Sequence, residues 1–356
     1  MKIVFHSNQL SLRGTEIALY DYAYFNRELL GNASVVVYDG NSPHNDASVI
    51  QKFSAQFPTI PYRDFSEVDA VAREHGADLL YCIKAGRRDG KVSTCVPTMV
   101  HAVFPTALDQ VHGAAYAFVS DWLANACTNG RIAAVPHIVH LPPLPEGMPQ
   151  DLREELNIPP DATVFACHGG AGSFDLEFVK KHAIPQALQA RADLYFVFLN
   201  IAPFIDHPRV LFLPGSSNPE YKVRFIRTAD AMLHGRQVGE SFGLACAEFS
   251  VLNRPVLTYA KSRDRNHLLV LGERALTYTG ASDLLRLLLE FDRVGMAQRD
   301  WDAYSERFSP EAVMRRFDAN LVQPALLAGV ADAPPLRFAL HERLRSRLKV
   351  AQLKMR

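Results

Sequence analysis

Short runs of β-branched and aromatic residues alternate with longer amphipathic stretches along nearly the whole chain, and this alternation limits the fold more than any other feature. Such a pattern is typical of parallel strands joined by crossover helices. Val35-Val36-Val37 is apolar on successive residues, as expected of a strand covered on both faces. In the first half of the chain we predict strands at residues 3–5, 34–38, 79–83, 98–103 and 116–119.

The proline-rich segment 141–145 interrupts this rhythm. Proline is excluded from helix interiors and central strands, so the segment predicts a linker. At 356 residues the chain is about twice the length of an ordinary domain. We therefore expect an α/β protein with two Rossmann-like, doubly wound domains. In the second half we predict strands at residues 163–166, 194–199, 210–213, 231–234, 255–259 and 276–278.

The last 21 residues, 336–356, form a basic tail with seven Lys or Arg residues against the single Glu342. Leucines at 336, 340, 344 and 348 recur every four residues, which predicts a basic amphipathic helix. Three interpretations stay open. The leucines pack on the body of the protein, the helix attaches to an anionic membrane surface, or it contacts a partner helix.

Charge and cysteine content bear on partners and compartment. Lys plus Arg and Asp plus Glu both number 38, so no overall field draws the protein to nucleic acid, and we expect no such partner. The five cysteines are odd in number and include no C-x-x-C pair, which favours buried thiols in a reducing compartment. No apolar stretch reaches about 18 residues, and the N-terminus lacks the features of a secretory signal. We therefore expect a cytoplasmic protein.

One segment suggests chemistry: Gly239-Glu240-Ser241-Phe242-Gly243-Leu244, followed by a second carboxylate at Glu248. It comes after the predicted strand 231–234, and a helix is predicted at 242–252. Amides at a helix N-terminus bind phosphate well, and Gly243 would let a ligand approach the backbone closely. Glu240 and Glu248 are too far apart to share a proton or a metal. They are spaced to hold two groups of an extended ligand, such as a sugar and a ribose.

The string from Glu240 to Glu248 resembles the E-x(7)-E motif of the retaining glycosyltransferases of the GT-B fold, the "group 1" glycosyltransferases. The resemblance implies two Rossmann-like domains that face each other across a cleft. It also implies that Glu240 hydrogen-bonds hydroxyls of the donor sugar and that Glu248 holds the nucleotide ribose. Ser241 and the amides of residues 242–244 would lie beside the sugar and the diphosphate.

Three further residues fit the same family, and a fourth candidate, Asn266, comes from its position after a strand. Gly14 falls where these enzymes have a glycine loop near the donor phosphates, and His101 where they have a histidine near the reacting sugar. Lys84, at a strand end, would contact a phosphate or the acceptor, and Asn266 follows a strand on the other half. Each also has a structural interpretation: a turn glycine, a core histidine, a surface lysine and an ordinary loop residue.

The chain departs from the family after the first strand of its second half. The loop 167–173 contains Gly169 and Gly170 and could wrap a diphosphate, but the usual Gly-Arg pair is replaced by Ala166-Cys167. A cysteine cannot neutralise a phosphate, so we predict that Arg236 supplies the missing cation. The alternatives are His168 and Lys180, the first lysine after Cys167.

The predicted function is transfer of a hexosyl group, with retention, from a nucleotide-diphosphate sugar to a hydroxyl of a glycan or lipid-linked acceptor. Glu240, His101 and Arg236 are the predicted catalytic residues. No His, Cys, Asp or Glu cluster has metal-ligand spacing, so we expect neither metal nor cofactor. The rivals are a non-catalytic nucleotide-sugar-binding scaffold and a sugar-nucleotide epimerase. The tail would place the enzyme peripherally at the inner face of the membrane.

The predicted domain boundaries follow from the same pattern and resemblance. An acceptor-side domain spans residues 1–141, a linker 142–150, and the nucleotide-sugar-binding domain 151–308. A helix in residues 309–335 is expected to cross back to the first domain, before the tail at 336–356.

Overall fold

The computed structural model describes residues 1–334 and 336–355. The chain divides into two compact units. The first consists of Met1–Ile138 together with the segment that starts at Arg307, and the second is Val139–Glu306.

A six-stranded parallel sheet forms the centre of the first unit, in the order β3-β2-β1-β4-β5-β6. The strand order reverses between β1 and β4, and such a reversal creates the crevice in which open α/β sheets bind ligands. The strands are β1 (Lys2–Ser7), β2 (Ala33–Asp39), β3 (Thr59–Tyr62), β4 (Leu79–Lys84), β5 (Thr98–Ala102) and β6 (Ala115–Phe118). The helices that connect them are α1 (Gly14–Glu28), α2 (Ala47–Ser54), α3 (Glu67–Glu74) and α4 (Asp121–Thr128).

Helix α3 shows how the sheet acquires its cover. Its buried residues Val68 and Ala72 are four apart and so share one face of the helix. They pack against Val4, Val35 and Leu80 of three neighbouring strands. Burial of each larger apolar side chain, such as valine or leucine, stabilises the folded state by roughly 1.5–3 kcal/mol.

The second unit contains another six-stranded parallel sheet, in the order β14-β12-β10-β7-β8-β9. Its strands are β7 (Thr163–His168), β8 (Leu194–Leu199), β9 (Val210–Leu213), β10 (Ala231–His234), β12 (Val256–Tyr259) and β14 (Ala275–Tyr278). A separate pair of short strands is formed by β11 (Gly239–Glu240) and β13 (Asp264–Arg265). The helices are α5 (Ile184–Ala190), α6 (Pro219–Thr228), α7 (Leu244–Val251), α8 (Asn266–Leu271), α9 (Ala281–Leu289) and α10 (Arg293–Ala297).

Four C-terminal helices follow. They are α11 (Ser305–Phe308), α12 (Pro310–Phe317), α13 (Gln323–Ala328) and α14 (Leu340–Met355). These helices belong to the first unit, except for the first two residues of α11, which belong to the second unit. Phe317, at the end of α12, is fully buried against Tyr22 of α1 and Tyr81 of β4. This ring contact anchors the returning chain in the core of the first unit.

All eleven predicted strands are confirmed, with ends that differ by at most two residues. Strand β3 was not predicted, and it contains Pro61. It lies at the edge of the sheet, where a missing N–H is tolerated.

Packing of the leucine stripe on the body, one of the three interpretations of the tail, is wrong. The residue exposures are 47% for Leu336, 74% for Leu340, 49% for Leu344 and 65% for Leu348. The described part of the chain also contains no helix with the length and apolar character needed to cross a bilayer.

Candidate functional site

The segment around Glu240 lies beyond the carboxyl end of β10, where ligands bind in sheets of this kind. Helix α7 begins at Leu244, two residues later than predicted. Of the three predicted amides, only that of Leu244 therefore belongs to the helix, whose first amides have no intrahelical acceptor. Gly243 is its N-cap and has a φ of 93°, a value that L side chains rarely adopt.

Glu240 sits in a group of cationic and imidazole side chains. Its Oε1 accepts a hydrogen bond of 2.9 Å from Nη1 of Arg236 and lies 3.3 Å from Nε2 of His234. Burial by itself would raise the pKa of Glu240, but the His234 hydrogen bond and the Arg236 charge lower this pKa to about 2. Glu240 is therefore an anion at neutral pH. Within the described residues no hydrogen bond involves its Oε2, and the side chain is 19% exposed.

Behind Glu240 a chain of hydrogen bonds holds His234 in place. Its Nδ1 lies 2.9 Å from the hydroxyl of Thr258, and the same hydroxyl lies 3.0 Å from Nε2 of His267. The ionised Glu240 can only accept, so Nε2 of His234 carries hydrogen. The Thr258 hydroxyl therefore bridges the imidazole rings of His234 and His267. Sequence reasoning missed His234 and Thr258, whereas His267 directly follows the predicted Asn266.

Glu248 is buried beside the cation Lys222 and the imidazole ring of His168. Lys222 of α6 donates from Nζ to its Oε1, and Nε2 of His168 lies 2.9 Å from its Oε2. Burial opposes ionisation, but the charge of Lys222, together with the nearby His168 ring, lowers the pKa of Glu248 to about 2. Glu248 itself is only 2% exposed, whereas Lys222 is 13% exposed. Lys222 is 26 residues away in sequence, and no motif pointed to it.

The glycine-rich loop after β7 is held by its own backbone. Ser173 bonds from both its amide and its hydroxyl to the carbonyl of Gly170, each at 2.8 Å. A Cβ at Gly169 would lie 2.3 Å from the Ser173 hydroxyl oxygen, so a larger residue there would displace the Ser173 side chain. Cys167 is buried, and burial raises its thiol pKa. It is therefore a neutral thiol at the position where a cation was expected.

The three candidate cations differ in their surroundings. Arg236 is bound to Glu240, and its pKa is raised, first by the Glu240 charge. His168 lies beside Glu248. Lys180 forms an ion pair with the exposed side chain of Glu177, three residues earlier in the chain. Asn266 donates 2.8 Å to the carbonyl of Phe242 and so fixes the backbone just before α7.

His101 of the first unit is fully buried with both ring nitrogens hydrogen-bonded. Nε2 donates 2.7 Å to the carbonyl of Val135, and Nδ1 then accepts 2.7 Å from the Tyr81 hydroxyl. Burial lowers the pKa of His101 to about 4, so the ring is neutral at pH 7. These are the contacts of a core histidine, and its contact with a sugar stays a prediction.

Lys84 and Gly14 lie at the carboxyl end of the first sheet. Lys84 is not a surface lysine: it is 3% exposed and donates 2.6 Å to Asp89. Gly14 is the first residue of α1, and a Cβ there would meet no atom within 4 Å, so packing does not require glycine at this position. Glu16, two residues on, is buried with the hydroxyls of Ser7 and Ser11 at 3.5 and 3.1 Å. Burial raises the pKa of Glu16 to about 7.

Side chains that could ligate a metal are scattered rather than clustered. In residues 1–334 and 336–355, no three His, Cys, Asp or Glu side chains are grouped so that they could hold a metal ion. Metal independence stays a prediction.

No model of a known protein family matches this chain, and no curated protein matches its sequence. Solved structures do match. A glycosyltransferase from Rickettsia africae ESF-5 is 10% identical with a TM-score of 0.64, over 92% of this chain and 98% of that one. Anabaena HepE in complex with UDP-glucose is 15% identical with a TM-score of 0.66, over 91% and 100%. This protein has the GT-B fold.

A third structure of this fold is the apo form of WaaB, a lipopolysaccharide outer core galactosyltransferase. It is 14% identical with a TM-score of 0.54, over 90% of this chain and 99% of that one. At such low identity the likeness establishes the architecture, namely two Rossmann-like domains with parallel six-stranded sheets. The chemistry has to be argued from the side chains.

Proposed function

We propose that this protein is a glycosyltransferase that moves a hexosyl group, with retention, from a nucleotide-diphosphate sugar to a hydroxyl of a glycan or lipid-linked acceptor. The observation that carries the proposal is the ionised Glu240, held by Arg236 and His234 just before the N-terminus of α7. The same fold in HepE was solved with UDP-glucose, which supports a nucleotide sugar as the donor.

The donor sugar would be held by Glu240. Its Oε1 is engaged by Arg236 and His234, while Oε2 is the oxygen available to accept from sugar hydroxyls. Two fixed hydrogen bonds to one oxygen orient the carboxylate before a ligand arrives, and such orientation lowers the entropic cost of reaching the reactive geometry. Ser241 and the first amides of α7 are the donors for the diphosphate.

The nucleotide would be held around Glu248. Because Glu248 is almost inaccessible, we propose that it acts on the ribose together with Lys222 and His168, which are more exposed and which it holds in position. Lys222 is a cation near the motif that sequence reasoning did not consider. Lys222 approaches the same carboxylate as His168, and His168 follows Cys167 directly.

Charge develops on the departing diphosphate during transfer. Arg236 and the positive end of α7 would stabilise it, because fixed donors aimed at developing charge are the largest contribution in many enzymes. The retaining route needs no side-chain nucleophile if the acceptor attacks from the face that the diphosphate leaves and gives its proton to a diphosphate oxygen. We propose that no metal ion takes part.

The test is the isosteric variant Glu240→Gln. It keeps the hydrogen-bonding shape but removes the charge, and we expect donor turnover, measured as release of nucleoside diphosphate from a panel of nucleotide sugars, to fall at least about a hundredfold. Glu273→Gln, which changes an exposed glutamate of the same unit, is the matched control and should keep full activity. Turnover by Glu240→Gln equal to that of the wild type would rule out the assignment.

A second candidate is a nucleotide-sugar-binding protein without catalysis. It is favoured by the buried, neutral thiol of Cys167 at the expected cation position, and by the involvement of Arg236 with Glu240. This candidate predicts that nucleotide sugars raise the melting temperature of the wild type while no nucleoside diphosphate is released. Release of product that depends on Glu240 excludes it.

We also propose that the protein works in the cytoplasm. The support is chemical: the five cysteines, all within the described residues, form no disulfide, and four of them are buried.

A further inference from the structure

Helix α14 presents its apolar side to solvent. Leu340, Leu344, Leu348 and Met355 are between 49% and 79% exposed, and Leu336 just before the helix is 47% exposed. We call these five residues the outer stripe. Single exposed leucines are ordinary, but a contiguous row of large apolar side chains usually marks an interaction surface.

The rotation of the helix is fixed by a buried polar contact. The hydroxyl of Ser346 accepts a 3.0 Å hydrogen bond from the amide of Leu108 and donates one of 2.7 Å to the carbonyl of Cys127. Ser346 is two residues, or about 200°, beyond Leu344, and buried Val350 is the same distance beyond Leu348. The anchored face is therefore almost opposite the outer stripe.

Basic residues lie on both sides of the outer stripe. Arg343 and Arg347 are about 100° to one side of it, and Arg345 and Lys349 about 100° or more to the other. The single carboxylate of the helix, Glu342, is held by Arg131 at 3.0 Å on the side of the protein body. Arg347 forms an ion pair of 2.9 Å with Asp109, and Lys349 donates to the side chain of Asn129, whereas none of the ion pairs of the described residues involves Arg343 or Arg345.

A second copy of this helix is a poor occupant. Leucines spaced four apart drift around an α-helix, whereas paired helices need a repeat that averages 3.5 residues. Two such helices would also bring together like charges, since α14 contains five Lys or Arg residues and one Glu. The outer stripe and the basic residues beside it are complementary to a partner that is apolar in the middle and negatively charged at its edge.

We propose that α14 is an interfacial helix that lies on an anionic lipid bilayer, with the outer stripe in the acyl boundary and the flanking bases at the headgroup phosphates. Such helices lie in the plane of the interface, and basic residues near an anionic surface strengthen the attachment. The inference rests on exposure, helix rotation and charge. It goes beyond the proposed transfer reaction and does not depend on it.

The experiment is co-sedimentation of the full-length protein with vesicles of phosphatidylcholine alone or with about 30% phosphatidylglycerol. We expect binding to the anionic vesicles only, weakened severalfold between low and 0.5 M salt, since exposed charges are screened. The double variant Leu344→Asn/Leu348→Asn should bind at least tenfold more weakly, because two outward side chains lose their apolar contact. Leu327→Asn, at an 89% exposed leucine of α13, is the matched control and should bind like the wild type.

Equal binding by Leu344→Asn/Leu348→Asn and the wild type would overturn the proposal, and so would equal binding to neutral and anionic vesicles. A dimer in sedimentation equilibrium that Leu344→Asn/Leu348→Asn abolishes would also overturn it, in favour of a second copy as the occupant. The melting temperature of each variant, with and without nucleotide sugar, is measured alongside. It separates loss of lipid binding from failure to fold and from failure of the donor site.

Discussion

Three glutamates removed from solvent behave in two different ways. Glu240 and Glu248 have cationic neighbours, which hold the pKa of each near 2 against the effect of burial. Glu16 has mainly the hydroxyls of Ser7 and Ser11 as neighbours, and burial raises its pKa to about 7. A buried carboxylate with a cationic neighbour stays charged and can bind a ligand. A buried carboxylate with neutral neighbours keeps its proton.

Glu16 should make stability depend on pH. Its folded pKa is raised above the ordinary value of 4.5, so between pH 4.5 and 7 the unfolded chain ionises while the folded protein keeps the proton. The free energy of unfolding should therefore fall across this window by up to about 3 kcal/mol from this group. Glu16→Gln removes the effect, so its stability relative to the wild type should rise from pH 5 to pH 7 in urea titrations. A difference that stays constant with pH, as expected for the control Glu273→Gln, would contradict this.

Lys222 should matter to both stability and ligand binding. Lys222→Met leaves Glu248 buried with His168 as its remaining partner, and removal of one member of a buried pair costs about 3–5 kcal/mol. We expect a lower melting temperature and weaker binding of a nucleoside diphosphate by calorimetry. Lys261→Met, at an exposed lysine of the same unit, is the control. Unchanged nucleotide affinity in Lys222→Met would show that this lysine does not contribute to nucleotide binding.

At the scale of elements, the loop after β10 depends on a two-residue strand pair. Gly239 of β11 lies opposite Asp264 of β13 with a φ of 77°, and a Cβ there would come 2.2 Å from the Asp264 carbonyl oxygen. The backbone conformation and the close approach both require glycine. Glu240 is the second residue of β11, so the pairing of β11 with β13 determines where the Glu240 backbone lies.

Gly239→Ala should therefore disrupt the site more than an ordinary loop substitution. The clash is with backbone, which cannot rotate away, so we expect a loss of about 2 kcal/mol or more in the free energy of unfolding. Loss of nucleotide-sugar binding should accompany it. Gly172→Ala, where a Cβ meets no atom within 4 Å, is the control and should melt like the wild type. Similar melting of the two variants would contradict the role of the strand pair.

For the whole molecule, the thiols report on the packing of both units. Cys82, Cys127, Cys167 and Cys246 are buried and Cys95 is partly exposed, and none of these described cysteines forms a disulfide. With an aromatic disulfide reagent we expect at most one thiol to react quickly in the native protein, and all five in denaturant without reductant. Fewer than five in denaturant would show that a disulfide is present.

The sequence by itself determined the two α/β halves, every strand of both large sheets except β3, and the position of Glu240 beyond β10. These features depend on local pattern: apolar runs make strands, and parallel strands place their carboxyl ends at one edge. The pattern could not predict the partners of those residues, because Lys222 and His168 reach Glu248, and Thr258 reaches His234, from separate elements.

Only the tertiary structure decided which side of α14 faces solvent. The leucine period indicated an apolar side and left open whether that side packs on the body of the protein, but Ser346 bonds to Leu108 and Cys127 and turns that side outward. Likewise, the tertiary structure placed His101 in the core, where Tyr81 and Val135 occupy its ring nitrogens. Periodicity shows which residues of an element share one face, whereas the burial of that face depends on contacts with residues far away in the chain.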